Sequence, residues 1–170
     1  MIEQNLEIPA ADGLTEALLI RPESNDPLPA VINLTDGLGF RPAFAEQSKR
    51  IAERGYVVLT PNIFYRTSRT PVFPFDPDFG DERTRERFNQ LKDPLTPVAM
   101  ERDGSAYIDF LASQPFVSSG PMGSSASASR ENSRCSLQQR VPTASPPPRH
   151  STAADCLPTR WTARISSCLA

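Results

Sequence analysis

Asp36-Gly37-Leu38-Gly39 follows directly on the apolar run Ala30-Val-Ile-Asn-Leu34, and it is the first place where residue types suggest chemistry. An Asp before Gly is also ordinary turn chemistry, because Asp bonds its own backbone and Gly accepts any φ. A dinucleotide fingerprint would need a third glycine, and Pro42 stands there instead. Tyr65 and Arg66 close the next apolar run, at the edge where open α/β sheets bind ligands. Arg66 suits an anionic group, or a structural ion pair. Arg83, Arg85 and Arg87 read as a solvated charged face. No nucleophile assembles from the rest. Ser124 and Ser125 lack a Gly-x-Ser-x-Gly frame, and the only histidine, His150, sits in Pro-Pro-Pro-Arg-His. Cys135, Cys156 and Cys168 match no zinc spacing, and an odd count argues against a disulfide framework.

The elements that position these residues follow from periodicity. Leu6–Ile8 and Ala17–Ile20 flank the turn Ala11-Asp-Gly13 and read as an antiparallel pair at a sheet edge. Ala30–Leu34 and Val57–Leu59 are too short and apolar for helices and fit strands covered on both faces. Between them Pro42 can open a helix whose Phe44, Ser48, Ile51 and Ala52 share a face, and Gly55 suits its end. This is a βαβ unit. Residues 67–82, rich in Pro, Phe and Asp, read as a long surface loop. Helices are expected over Asp81–Leu91 and Pro97–Gln114, the second with Tyr107, Phe110 and Leu111 on one face. Pro115-Phe-Val117 should start another strand, but Ser118–Ser129 has no apolar period at 2 or 3.6 and the strand is not expected to form.

Composition changes near Ser118. Up to Val117 there are 12 Lys+Arg against 18 Asp+Glu; beyond it there are six arginines, Glu131 and Asp155. All three cysteines, the histidine and Trp161 lie in that last stretch, which contains no Phe or Tyr. Read literally it is a disordered basic tail that cannot bury enough apolar surface to offset ordering entropy. Without aromatics to stack bases, no specific nucleic-acid partner is expected. The N-terminus shows no signal peptide and no stretch is long enough for a membrane span. A cytoplasmic protein with no membrane partner is the expectation, and no residue pattern sets an oligomeric state.

Three segments in order carry a family resemblance: Pro29-Ala-Val-Ile-Asn-Leu-Thr-Asp-Gly-Leu-Gly39, Arg50-Ile-Ala-Glu-Arg-Gly-Tyr-Val-Val-Leu-Thr-Pro61 and Phe64-Tyr-Arg66. Arg102-Asp-Gly104 and Ile108-Asp-Phe-Leu111 add the helix before a nucleophile strand. The set resembles the dienelactone hydrolase family of α/β-hydrolases over residues 1 to about 123. Thr35 departs from it, where many relatives have His, and so does Asp36, where the best-known members have Glu. The fold this implies is α/β, the N-terminal portion of an α/β-hydrolase doubly wound sheet, with residues 1–123 a partial domain and 124–170 a tail.

In that family a Cys lies on a Gly-x-Cys-x-Gly turn, with Asp and His further along. Here Gly120-Pro-Met-Gly123 is followed by Ser-Ser-Ala-Ser-Ala-Ser. If each residue took the last base of the preceding codon and the first two of its own, Ser124–Ser129 could decode as Val-Val-Gly-Phe-Cys-Phe. The cysteine would then fall at Ala128. Residues from about 124 therefore read as an out-of-frame translation, with the catalytic Asp and His beyond Ala170 even in the restored frame.

The resemblance implies a hydrolase of carboxylic esters or lactones using Cys, His and Asp, without metal or organic cofactor, and with a small-molecule substrate. It makes Asp36 the candidate acid, Gly37 an oxyanion-side backbone donor, and Ala128 the occupant of the nucleophile position. Tyr65 and Arg66 become candidate substrate contacts. The chain as written lacks a triad and is expected to be inactive. The competing expectation is a non-catalytic half-domain whose basic tail serves as an interaction segment.

Overall fold

A computed structural model describes residues 1–126. Five strands form one sheet in the order β1-β2-β4-β3-β5. β1 (Ile2–Ala10) and β2 (Gly13–Arg21) make the edge hairpin, paired from Ile2–Arg21 to Ala10–Gly13. Both strands are longer than their apolar cores, since backbone pairing continues through Glu3, Asn5 and Glu7, which are exposed. β3 (Ala30–Leu34) and β4 (Val57–Pro61) are parallel, and β4 is buried at every residue. Pro61 is tolerated because it ends the strand.

α1 (Pro42–Ala52) connects β3 to β4 and buries Phe44, Ser48 and Ala52. Its Ala52 packs with Leu18, Ile20 and Val58 on one face of the sheet. α2 (Glu82–Lys92) and α3 (Pro97–Ala112) follow β4. Thr96 caps α3 by accepting the Ala99 N–H at 3.2 Å, and Pro97 occupies the first turn. Tyr107 and Leu111 of α3 pack with Ile8, Leu19, Ile32 and Leu59 on the opposite face. Helices on both faces and a parallel centre make the sheet doubly wound, as the sequence implies. Gly55 supplies a left-handed residue (φ +90°) two positions past the Glu53 cap, one later than expected for a C′ glycine.

Two expectations need correction. First, a strand does follow Val117: β5 (Gly123–Ala126) pairs parallel with β3, from Val31–Gly123 to Leu34–Ala126. The Gly-Ser-Ser-Ala sequence carries no strand pattern because its side chains are mostly exposed; the backbone alone makes the ladder. The sheet thus continues to Ala126, the last described residue. Second, the stretch after β4 is not simply a surface loop. Val72 and Phe73 are buried with Phe64 and Leu91 in a small core separate from both faces of the sheet.

Candidate functional site

From β3 the chain moves to β4 on one side, then returns past β3 to β5 on the other. The strand order reverses at β3, and in such sheets ligands bind outside the carboxyl ends of the strands at that reversal. Thr35 to Gly39 is the segment that leaves β3 there.

Asp36 is 8% exposed. Its Oδ1 accepts the Leu38 N–H at 3.0 Å, and its backbone carbonyl accepts the Gly39 N–H at 2.9 Å. Its Oδ2 pairs with the Arg41 guanidinium, which also lies over the Phe44 ring. The carboxylate is thus held from two sides. The Gly37 N–H, one residue on, has no hydrogen-bond partner among the described residues. Thr35 is 6% exposed and its hydroxyl is buried without a partner among those residues.

The turn is closely covered. A Cβ on Gly37 would stand 2.5 Å from Cε2 of Phe88, and one on Gly39 2.5 Å from Cγ2 of Val72. Gly39 also has φ +74°, a conformation other residues adopt only with strain. Leu38 packs into the small core of Phe64, Val72, Phe73 and Leu91. Gly39 is therefore favoured both by its left-handed backbone and by the approach of Val72, and Gly37 by the approach of Phe88 on α2. Beneath the turn, Asn33 Nδ2 donates to Ser48 Oγ at 3.0 Å, and Ser48 Oγ lies 2.7 Å from Thr60 Oγ1. This polar link ties α1 to β3 and β4.

Tyr65 and Arg66 sit at the carboxyl end of β4, as expected, but their polar groups turn inward. The Tyr65 hydroxyl donates to Asp103 Oδ1 at 2.8 Å. Arg66 grips the same carboxylate with two bonds, 2.6 Å to Oδ2 and 2.8 Å to Oδ1, and donates through Nε to Asp12 Oδ2 at 2.8 Å. Asp103 is 4% exposed. One guanidinium thus joins the β1–β2 turn, the end of β4 and α3. Burial, then the bond to Asp103, push the Tyr65 phenol up to about 12. The bond to Asp103 holds Arg66 above its ordinary range, and the bond from Arg66 holds Asp12 below the usual carboxylate range. Burial, then the charge of Asp103, also raises Tyr107, whose hydroxyl has no partner among the described residues. Sequence reasoning named Tyr65 and Arg66 but not Asp103 or Asp12. Their acceptors lie 37 and 54 residues from Arg66, a separation no local pattern shows.

Arg83 stacks over Phe75 at 4.0 Å and Arg87 Nε donates to the Val72 carbonyl at 3.0 Å, so neither is merely solvated. Ala128, Cys135, His150, Cys156 and Cys168 lie outside the described residues. Asp36 stands two residues beyond Leu34, which pairs with Ala126, the last described residue. Among the described residues no group of three or more His, Cys, Asp and Glu could hold a metal ion, and no helix is long and apolar enough to cross a membrane.

Comparison with solved structures gives the same architecture. A protein from Klebsiella pneumoniae described as a dienelactone hydrolase matches with a TM-score of 0.62 at 17% identity, over 74% of this chain and 49% of that one. A dienelactone hydrolase-like promiscuous phosphotriesterase from metagenomic libraries matches with a TM-score of 0.54 at 19% identity, over 75% of this chain and 47% of that one. A dienelactone hydrolase from Anabaena variabilis matches with a TM-score of 0.50 at 12% identity, over 74% of this chain and 51% of that one. The chain spans about half the length of these structures, and likeness at such identities shows the fold. No curated protein matches the sequence. The model of the dienelactone hydrolase family matches residues 15–125, from β2 through β5 and including the whole turn after β3, and the chain belongs to that family.

Proposed function

We propose that the chain carries the first half of a hydrolase of carboxylic esters or lactones whose nucleophile position is held by Ala128. The observation that carries this reading is the Gly37 N–H, left without a partner among the described residues at the strand-order reversal, one residue from the buried Asp36 carboxylate. A carbonyl oxygen placed there would receive a backbone hydrogen bond that strengthens as negative charge develops. In the complete reaction a cysteine thiolate adds to the carbonyl carbon. An imidazole proton goes to the leaving alkoxide, and water then releases the acid from the thioester. Asp36 is the candidate acid beside the reacting carbon. Tyr65 and Arg66 frame the rim of the site, since Asp103 and Asp12 occupy their polar groups.

The residues from about 124 are, on this reading, out of frame, and a one-base correction near Gly123 restores the cysteine at position 128. The substrate is a small neutral or charged ester or lactone in the cytoplasm, and no cofactor takes part. Two measurements test this together. Sequencing the DNA from the codon for Phe116 to several hundred bases past Ala170 should reveal a longer frame containing the Cys, Asp and His. The purified 170-residue chain should hydrolyse 4-nitrophenyl acetate no faster than buffer, and the frame-restored chain should hydrolyse it until its thiol is alkylated. A downstream frame without those residues would sink the catalytic reading. One observation favours a second reading: among the described residues there is neither Cys nor His. The 170-residue chain would then be a non-catalytic half-domain with an interaction tail, which saturable partner binding without ester turnover would establish.

A further inference from the structure

We propose that a recess on the α1 face of the edge hairpin binds a small organic cation, an ammonium or guanidinium group on a short apolar stem. None of Asp36, Gly37 or Ala128 takes part, so the site stands or falls apart from the hydrolase reading. Residues paired directly across neighbouring strands share a face of the sheet. Asn5, Leu18 and Thr60 form one such row across β1, β2 and β4, and Glu7 and Glu16 form the next across β1 and β2. Leu18 packs with Ala52, so both rows lie on the α1 face. α1 packs on Ile20 and Val58 and reaches Thr60 through Ser48, while Glu7, further along β1, stays exposed. A recess of about 340 Å³ remains there, lined by both rows and, from off the two hairpin strands, by Asn62, Phe40 and Thr70. That volume lies within the roughly 300–1,000 Å³ of small-molecule sites. In the sheet, β3 separates these strands from β5, so the recess is built wholly by described residues.

The charges decide the class of ligand. The lining holds two carboxylates, Glu7 and Glu16, and neither Lys nor Arg. Arg69 reaches both from outside the lining: its Nη2 pairs with Glu7 Oε1, and its Nε lies 3.7 Å from Glu16 Oε1. Glu16 Oε2 also accepts the Thr70 N–H at 2.8 Å. Nearby, Glu3 and Lys49 pair with each other at 3.4 Å, and Arg41 pairs with Asp36. Two carboxylates against one guanidinium leave the recess negative, which repels an anion and attracts a cation. The seat of Arg69 shows that one cation can face both carboxylates at once. Its side chain is 73% exposed, and exposed ion pairs are worth only about 0–1 kcal/mol, so an incoming cation competes with it on even terms. Leu18 and Phe40 give the apolar stem a surface to lie on.

The test uses the isotopically labelled 170-residue chain at neutral pH and follows the Thr70 backbone amide and the Asn5 side-chain amide by NMR. The probes share one stem and differ in charge: phenethylammonium, 2-phenylethanol and phenylacetate. Phenethylammonium should shift both amides and saturate roughly threefold to fivefold tighter than 2-phenylethanol, with phenylacetate weakest. Added salt should shrink that preference, because the carboxylates are partly exposed. Glu7→Gln, at an exposed position, should remove most of the preference. Arg69→Gln, also exposed, should tighten phenethylammonium by about twofold, since the competing guanidinium is gone. Opposite effects of these two variants separate a binding role from a structural one, which would weaken binding in both. Equal affinities for the three probes, tightest binding of phenylacetate, or an unchanged order in Glu7→Gln would overturn the proposal. So would weaker binding in Arg69→Gln, or probes that leave both amides unmoved.

Discussion

Replacing Asp103 by Asn keeps the shape of the side chain but removes the charge that Arg66 encloses. The structure sets the magnitude. Asp103 and Arg66 have side chains only 6% and 11% exposed, and three hydrogen bonds converge on the carboxylate. Removing one partner of a buried pair typically costs about 3–5 kcal/mol, because the other charge is left uncompensated. Arg66 retains Asp12, so the expected loss is smaller, about 2–4 kcal/mol. That is a large share of the roughly 5–15 kcal/mol that holds a domain together. Urea unfolding followed by far-ultraviolet circular dichroism measures it, with Arg66→Met and the double variant completing a cycle. The double variant should be less destabilised than the sum of the singles, by about 1.5 kcal/mol or more. A loss below about 1 kcal/mol, with additive singles, would refute the view that this network pins the turn, β4 and α3 together.

Other expectations follow from the same geometry. Gly37→Ala should destabilise by about 1–3 kcal/mol through its clash with Phe88, and Phe88→Ala in the same chain should relieve part of that loss. Thermal unfolding of the two singles and the pair decides it. Leu111→Ala, at a position with no exposed surface in the core under α3, should cost about 2–5 kcal/mol in denaturant unfolding. Tyr65 is raised from 10.0 to about 12 in the folded chain, so its contribution is complete below pH 10 and is lost as pH rises through 12. Ultraviolet titration of the phenolate should place its midpoint near 12, and Asp103→Asn should lower it. Arg41→Met leaves the Asp36 carboxylate with only the Leu38 N–H as a side-chain partner; because Arg41 is 41% exposed, the expected cost is only about 1 kcal/mol.

The βαβ unit was legible in the sequence because its signals are local. Ala30–Leu34, Pro42 and Val57–Pro61 announce two buried strands and a helix by run length, ring constraint and β-branching. The turn at Asp36-Gly37 was legible as Asp-Gly turn chemistry, and the role proposed for it comes from the ordered family motifs. What the sequence hid was carried either by backbone or by distance. β5 has no apolar alternation because its ladder needs only N–H and C=O groups. Val72 and Phe73 lie in a Pro-rich stretch without a period, so their burial against Phe64 and Leu91 has no local signature. Arg66 read as a contact for an anionic group or as half of a structural ion pair; its partner, Asp103, stayed hidden because it is placed by the packing of α3 and not by its neighbours in the chain.

The pairing registers also order events in time. β3 meets β4 across 27 residues (Ala30 with Val57), but meets β5 across 92 (Val31 with Gly123). Closing the longer span costs about 1 kcal/mol more chain entropy than closing the shorter. During synthesis β3, α1 and β4 are all made well before β5 exists. The hairpin and the βαβ unit can therefore assemble first, with Asp36 and Gly37 already at the end of β3. β5 docks last onto a surface that is waiting for it, beside the turn that carries Asp36 and Gly37.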